Sequence, residues 1–118
     1  MEILIVDDSE LIRERLVSML TINKNIETVG QAGNSIEAMA YFKKYSPEML
    51  LLDIHLPGEN GITFLEKIKK ISPETTVIMI TNYAYPQYRK KCMELGADYF
   101  FEKSDGLESL QKILTYLL

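Results

Sequence analysis

Met49-Leu50-Leu51-Leu52-Asp53-Ile54-His55-Leu56-Pro57 is the stretch on which the reading of this chain turns. Its first four residues are apolar without interruption, the pattern of a short strand buried on both faces rather than on one. The run stops at Asp53, and Pro57, Gly58 and Gly61 then mark a loop. The next periodic stretch carries Leu65, Ile68 and Ile71 at helical spacing. An apolar strand that ends abruptly on a carboxylate and then crosses into a helix is half of a βαβ unit.

The same phrase recurs on both sides. Towards the N-terminus, Ile3 to Val6 stops at Asp7-Asp8 and leads into Ser9 to Leu20, with Ile12, Leu16, Met19 and Leu20 on one face. Ile26 to Ala32 reads as a second strand. Asn34 and Glu37 then form a capping-box-like start to a helix that turns Ala38, Tyr41, Phe42 and Tyr45 to one side. Towards the C-terminus, Val77 to Ile80 ends at Thr81, and Pro86 to Leu95 is helical, with Pro86 in the first turn, where it is tolerated. Gly96 stops that helix. Tyr99 to Phe101 is the fifth run, followed by Lys103. Asp105 and Glu108 are expected to cap a last helix whose Leu107, Leu110, Leu114 and Leu117 face inward.

Five strands alternating with five helices imply an α/β fold, a parallel sheet covered on both faces, with right-handed crossovers. Pattern alone does not fix the strand order. The expected arrangement is doubly wound, and the flavodoxin-like (βα)5 order 2-1-3-4-5 is one common form of it. With 118 residues and no linker, repeat or low-complexity segment, the chain is read as a single domain spanning 1–118.

Composition narrows the function. A formal net charge of −4 disfavours direct nucleic-acid binding by this domain, because such binding depends on lysines and arginines neutralising phosphates. No apolar run approaches membrane-spanning length, and the N-terminus enters Ile3-Leu4-Ile5-Val6 without a basic leader. Cys92 is the only cysteine, so no intrachain disulfide can form, and a reduced, cytoplasmic setting is expected.

The polar residues fall at one kind of place. Asp7 and Asp8 follow strand 1, Asp53 ends strand 3, Thr81 ends strand 4 and Lys103 follows strand 5. In a parallel sheet these positions share the carboxyl edge, where ligands of open α/β sheets bind. Each has an ordinary role when taken alone: Asp8 or Ser9 as a helix cap, Lys103 as a solvated charge, Phe100 as core. Together they place three carboxylates at one edge, which repel one another unless a cation or protons intervene. An all-oxygen set without a His or Cys cluster suits Mg²⁺.

At this point a resemblance becomes specific. Ile5-Val6-Asp7-Asp8-Ser9, Leu51 through Pro57, Gly58 through Gly61, Ile78-Met79-Ile80-Thr81 and Gly96-Ala97-Asp98-Tyr99-Phe100-Phe101-Glu102-Lys103 resemble, in order and spacing, bacterial two-component response-regulator receiver domains. The body is most similar to receivers that precede a LuxR-type DNA-binding domain, of which no trace stands in this sequence. The resemblance implies that Asp53 accepts a phosphoryl group from a sensor histidine kinase or phosphotransfer protein. It implies that Asp8, Asp53 and the backbone carbonyl of His55 ligate Mg²⁺, with Asp7 acting through water. Lys103 and Thr81 would contact phosphoryl oxygens, and Phe100 would turn inward as the switch when Thr81 moves. A homodimer through the fourth helix, fifth strand and fifth helix is a further implication, with Tyr88, Lys91, Tyr99 and Lys112 on that face.

The chain departs from the family pattern at Ser104, where proline usually follows the lysine, and at Asn82, where a small residue is usual. His55, Asn82 and Tyr83 form the expected rim of the site, and shielding by Tyr83 is expected to slow self-dephosphorylation. Serine in place of proline predicts a trans Lys103–Ser104 bond, because a cis bond there costs about 2.5–4 kcal/mol. Three other functions fit an α/β domain of this size. A receiver-like module that binds without phosphorylation is disfavoured by the filled site, and an FMN carrier by the Asp7-Asp8 pair where a phosphate loop belongs. An aspartate-nucleophile phosphatase is disfavoured because these aspartates are adjacent rather than spaced Asp-x-Asp.

Overall fold

Leu50, Leu51 and Leu52 lie at the centre of the molecule, each at most 1% exposed. They belong to the middle strand of a five-stranded sheet in the computed structural model, which describes residues 1–82, 84–105 and 107–118. The strands are β1 (Glu2–Val6), β2 (Thr28–Ala32), β3 (Met49–Leu52), β4 (Thr76–Thr81) and β5 (Tyr99–Glu102). The helices between and after them are α1 (Glu10–Leu20), α2 (Ser35–Tyr45), α3 (Gly61–Ile71), α4 (Pro86–Glu94) and α5 (Glu108–Leu117). All pairings are parallel and the order is β2-β1-β3-β4-β5, the doubly wound arrangement.

Alternation along the central strands divides the core in two. Leu4, Val6, Leu50, Leu52, Val77, Met79 and Phe100 turn to the face covered by α2, α3 and α4, where Phe42, Phe64, Ile68 and Cys92 meet them. Ile3, Ile5, Leu51, Ile78 and Ile80 turn to the other face, against Leu16 and Leu20 of α1 and Leu110 and Leu114 of α5. Both faces are dry, which is why these strands read as continuous apolar runs.

Helix starts follow the expected chemistry at three of the five places. Ser9 caps α1 by accepting from the Ile12 amide at 3.3 Å. Asn34 caps α2, accepting from the Glu37 amide at 2.9 Å while its own Nδ2 donates to the Glu37 carboxylate. Asn60 caps α3 through the Thr63 amide. Gly96, at φ +101°, ends the α4 segment in a conformation that favours glycine.

Two expectations need correction, the start of β2 and the cap of the last helix. Strand β2 begins at Thr28 rather than Ile26, because the Ile26 amide closes a turn onto Asn23. Tyr45 and Ile71, in the last turns of α2 and α3, are 44% and 57% exposed, while the Tyr45 ring lies beside that of Tyr41. Leu107 and Leu117 face inward as expected, partly buried against the cluster that holds Leu110 and Leu114. The cap position of the last helix is not Asp105 but Leu107, at φ +65° with no side-chain cap bond, and Lys103–Asp105 form a short 3-10 turn. No described helix is long and apolar enough to cross a membrane.

Candidate functional site

Sheet register builds the site. Val6 pairs with Leu52, so the residues that follow them, Asp7 and Asp53, emerge side by side at the carboxyl edge. Their backbones are pinned there: the Asp7 amide donates to the Ala32 carbonyl at 3.1 Å and the Asp53 amide to the Val6 carbonyl at 3.0 Å. Helix α3 presses against this corner from the other side. The Gly61 amide donates to the Ile54 carbonyl, and a Cβ on Gly61 would overlap the Asp53 carbonyl oxygen. Only glycine lets the helix approach so closely.

Three carboxylates converge here. Asp7 and Asp53 are 2% and 5% exposed, whereas Asp8 is exposed at the mouth. One oxygen from each of Asp7, Asp8 and Asp53 can be chosen so that all three lie within 4.8 Å of one another. Lys103 reaches in from the far side. Its Nζ lies 2.6 Å from Asp7 Oδ2 and 3.1 Å from Asp53 Oδ2. The Lys103–Ser104 bond is trans, as the serine implies, and the lysine is nevertheless aimed at Asp53. Asp7 uses its other oxygen to accept from the Ser9 amide at 2.9 Å. Among the described residues Asp53 Oδ1 holds only a long contact, 3.4 Å from the His55 amide.

The electrostatics follow from this crowding. Burial pushes the Asp53 carboxyl above its ordinary value and the charge of Asp7 adds to the rise, against the opposing pull of the Lys103 ammonium. Burial works against the Lys103 charge, but hydrogen bonding and attraction from Asp7 and Asp53 outweigh it, so its pKa stands above the usual lysine value. Three carboxylates around one ammonium leave negative charge in excess. An all-oxygen, partly open cluster of that kind fits a small hard cation with retained waters, so the donor set present suits Mg²⁺.

The cluster opens into a cleft of about 290 Å³ lined by Asp7, Asp8, Ser9, Ile12, Asp53, His55, Asn82 and Lys103. A larger hollow of about 550 Å³ at the opposite edge has Lys43, Glu48 and Glu74 on its lining, but among the described residues three carboxylates converge only at Asp7, Asp8 and Asp53, so size does not mark the site. His55 and Asn82 are exposed on the rim as expected. Tyr83, the third rim residue read from the sequence, lies outside the described residues. Thr81 is fully buried at the end of β4, and Phe100, 4% exposed, turns to the same face of the sheet. Neither lines the cleft.

Sequence reasoning passed over two arginines. Arg13 of α1 donates from Nη1 to the Asp7 carbonyl at 2.7 Å and from Nε to Gln31 at 3.1 Å, tying α1 and β2 to the corner. Its signal was slight: a cation one position off the Ile12–Leu16 stripe. Arg89 of α4 lies over the Phe100 ring. An aromatic contact also links the rim to α4, with the rings of His55 and Tyr88 edge to face at 5.9 Å.

Comparison with known proteins agrees with this geometry. A family model for the response regulator receiver domain matches residues 3–115. The chemotaxis protein CheY of Halobacterium salinarum is 30% identical over 118 residues, covering 97% of this chain and 97% of its own length. A protein-glutamate methylesterase/protein-glutamine glutaminase of Agrobacterium fabrum is 41% identical over 83 residues, 70% of this chain, and the match spans only 23% of that protein. Among solved structures, a LuxR-family DNA-binding response regulator from Staphylococcus aureus superposes with a TM-score of 0.87 at 25% identity, over 98% of this chain and 96% of that one. CheY of Borrelia burgdorferi, solved in a CheX–CheY–BeF3–Mg complex, superposes at 0.87 with 29% identity, over 99% of this chain and 89% of that one.

Proposed function

This chain belongs to the response regulator receiver domain family, and from that premise we propose that Asp53 is its phosphoacceptor, in a Mg²⁺-dependent transfer from a phosphohistidine of a sensor kinase or phosphotransfer protein. The observation that carries the choice of Asp53 is how the carboxylate oxygens are occupied. Asp7 has one oxygen on Lys103 and the other on the Ser9 amide. Asp53 has one oxygen on Lys103, and among the described residues its Oδ1 has a single long contact at the cleft. Asp8 stands exposed at the mouth, and among the described residues it makes no ion pair with the lysine.

In the proposed reaction an Asp53 oxygen attacks phosphorus in line. The phosphorus–nitrogen bond to the imidazole breaks as the phosphorus–oxygen bond forms, and the imidazole leaves with the bonding pair and takes up a proton. Little covalent assistance is needed, because phosphoryl transfer depends mainly on positioning and charge stabilisation. Lys103, whose Nζ lies 3.1 Å from Asp53 Oδ2, would follow that oxygen and neutralise a phosphoryl oxygen. Asp7, Asp8, Asp53 and the His55 carbonyl are the groups that would hold Mg²⁺, which when bound offsets the charge of the carboxylates and the phosphoryl group.

Thr81 and Phe100 are the proposed switch. They share one face of the sheet, Phe100 pairing in register with Met79 two residues before Thr81. A hydroxyl drawn towards the phosphoryl group would change the packing beside the ring, and with it the surface of α4, β5 and α5. That surface, with Tyr88, Lys91, Tyr99 and Lys112, is the proposed place for an output partner or a second copy of the chain. A cytoplasmic location goes with donors of this kind.

Asp53→Asn tests the acceptor. Phosphoryl incorporation from acetyl phosphate should fall below detection. A phosphorylated peptide from the parent protein that excludes Asp53 would overturn the assignment.

A further inference from the structure

One side chain that the switch reading does not use lies over the ring of Phe100. Phe100 belongs to the buried cluster that contains Met79, Cys92 and Ala97. Arg89, an exposed residue of α4, sends its guanidinium back over that ring, with Cζ 4.9 Å from the ring centroid. The same group donates from Nη2 to the Phe100 carbonyl at 3.3 Å. One guanidinium therefore holds both the ring and the backbone of a single residue on the neighbouring strand. Among the described residues no carboxylate pairs with Arg89, and its guanidinium is instead turned to Phe100.

The chemistry suits a latch. A cation over an aromatic face is attracted by the ring quadrupole. A planar guanidinium can stack on the ring and donate in its own plane at once, which a lysine ammonium cannot do. Phenylalanine makes the contact matter more than tyrosine would. A tyrosine rotating outward gains water for its hydroxyl, whereas Phe100 gains no hydrogen bond and exposes apolar surface. Outward rotation here must also break the stack with Arg89.

We propose that Arg89 is a positioning residue that latches Phe100 inward before any phosphoryl group arrives, so that this receiver rests biased towards its switched surface. The proposal rests on the reading of Phe100 as the switch aromatic. Arg89 acts through Phe100 and touches no reacting atom. Its removal should lower the ratio of inward to outward rings by about three- to tenfold, the range of such contacts at partly exposed sites.

The test is fluorine NMR on metal-free protein carrying fluorophenylalanine. The chain has four phenylalanines, and the Phe100 resonance is identified by its loss in Phe100→Leu. Arg89→Ala should move that resonance towards a solvent-exposed environment, Arg89→Gln nearly as far, and Arg89→Lys part of the way. Beryllofluoride binding in the presence of Mg²⁺ should weaken in the same order, because only the inward population is ready to bind. A Phe100 resonance unchanged in Arg89→Ala would overturn the latch. If the alanine variant folds poorly by its amide spectrum, the glutamine and lysine variants decide by the same resonance, and no movement in either overturns the proposal. Failure of the parent protein to bind beryllofluoride would count against the acceptor reading alone, while the Phe100 resonance still decides on Arg89.

Discussion

The two edges of the sheet each hold a lysine paired with aspartate, and they differ in arithmetic. At the amino edge Lys69 spends its three donors on the Pro73 carbonyl, the Thr75 carbonyl and Asp98 Oδ2, at 3.3, 2.6 and 3.1 Å. Asp98 Oδ2 also accepts from the Val77 amide at 2.8 Å. One cation meets one carboxylate, and the cluster ties the α3–β4 turn to the start of β5. At the carboxyl edge Lys103 faces Asp7 and Asp53, with Asp8 close by. Here carboxylates outnumber the cation, and Asp53 is pushed towards its protonated form. The same ion-pair chemistry is saturated in one place and unfinished in the other. The unfinished cluster is the one that has work for a ligand.

The sharpest way to break this comparison is to cut both clusters and read stability and metal binding separately. Lys69→Met should destabilise the fold by about 2 kcal/mol, chiefly by taking the donor from the Thr75 carbonyl and leaving the Asp98 carboxylate with the Val77 amide but no cation. The Coulombic part is discounted because the Asp98 side chain is 41% exposed. Mg²⁺ titration of this variant should match the parent. Urea unfolding gives the first quantity, and a stability loss under about 0.5 kcal/mol would mean that the amino-edge cluster is only a solvated pair.

Asp8→Asn should do the reverse. It removes a carboxylate that stands exposed at the mouth, so the metal-free fold should change by no more than about 0.5 kcal/mol. Mg²⁺ affinity should fall about tenfold, in line with other losses of metal-site partners. Tyrosine fluorescence or calorimetric titration would follow it. An unchanged titration would remove Asp8 from the set of ligands.

This contrast also explains what could be read from the chain. The five strands were legible because both sheet faces are covered, so Ile3–Val6, Met49–Leu52 and Val77–Ile80 show as unbroken apolar runs. The edge strand β2 was less so, since its Thr28, Gln31 and Gly30 carry little pattern. The carboxyl-edge aspartates were legible because each stands directly after such a run. Lys69 was not, for it lies inside α3 among Lys67 and Lys70 and resembles any solvated lysine. Arg13 and Arg89 were hidden for the same reason, as their partners are backbone carbonyls and a ring supplied by distant strands. The last helix was placed correctly but its cap was not, because Asp105 offered a capping signal that the 3-10 turn after Lys103 displaced.

The smallest effect is the most direct test of the unfinished charge. If Asp53 is disfavoured as an anion in the metal-free fold, Asp53→Asn should stabilise the protein, by about 1 kcal/mol at neutral pH, as relief of functional-site strain commonly does. The sign follows from proton binding. In the fold the Asp53 pKa lies above its ordinary value of about 3.9 in the unfolded chain. Between those two values the folded state holds a proton that the unfolded state has lost, so this group's contribution to stability falls as pH rises through the window. Above the folded value the whole penalty is present, and the asparagine variant keeps its full advantage. As pH falls through the folded value the parent takes up the proton, and the two stabilities should converge near the ordinary carboxylate range. Lys103 does not disturb this window. Its pKa is raised, so the stability it lends is complete below the usual lysine value and is lost only as pH rises through the higher folded one. Mg²⁺ should close the gap from the other direction at neutral pH, stabilising the parent more than the variant, because it supplies the positive charge that the carboxyl edge lacks. Paired urea unfolding curves across the acid range, with and without Mg²⁺, measure both trends. A less stable asparagine variant at neutral pH would mean that the Lys103–Asp53 pair outweighs the crowding, and that the two edges of the sheet are alike after all.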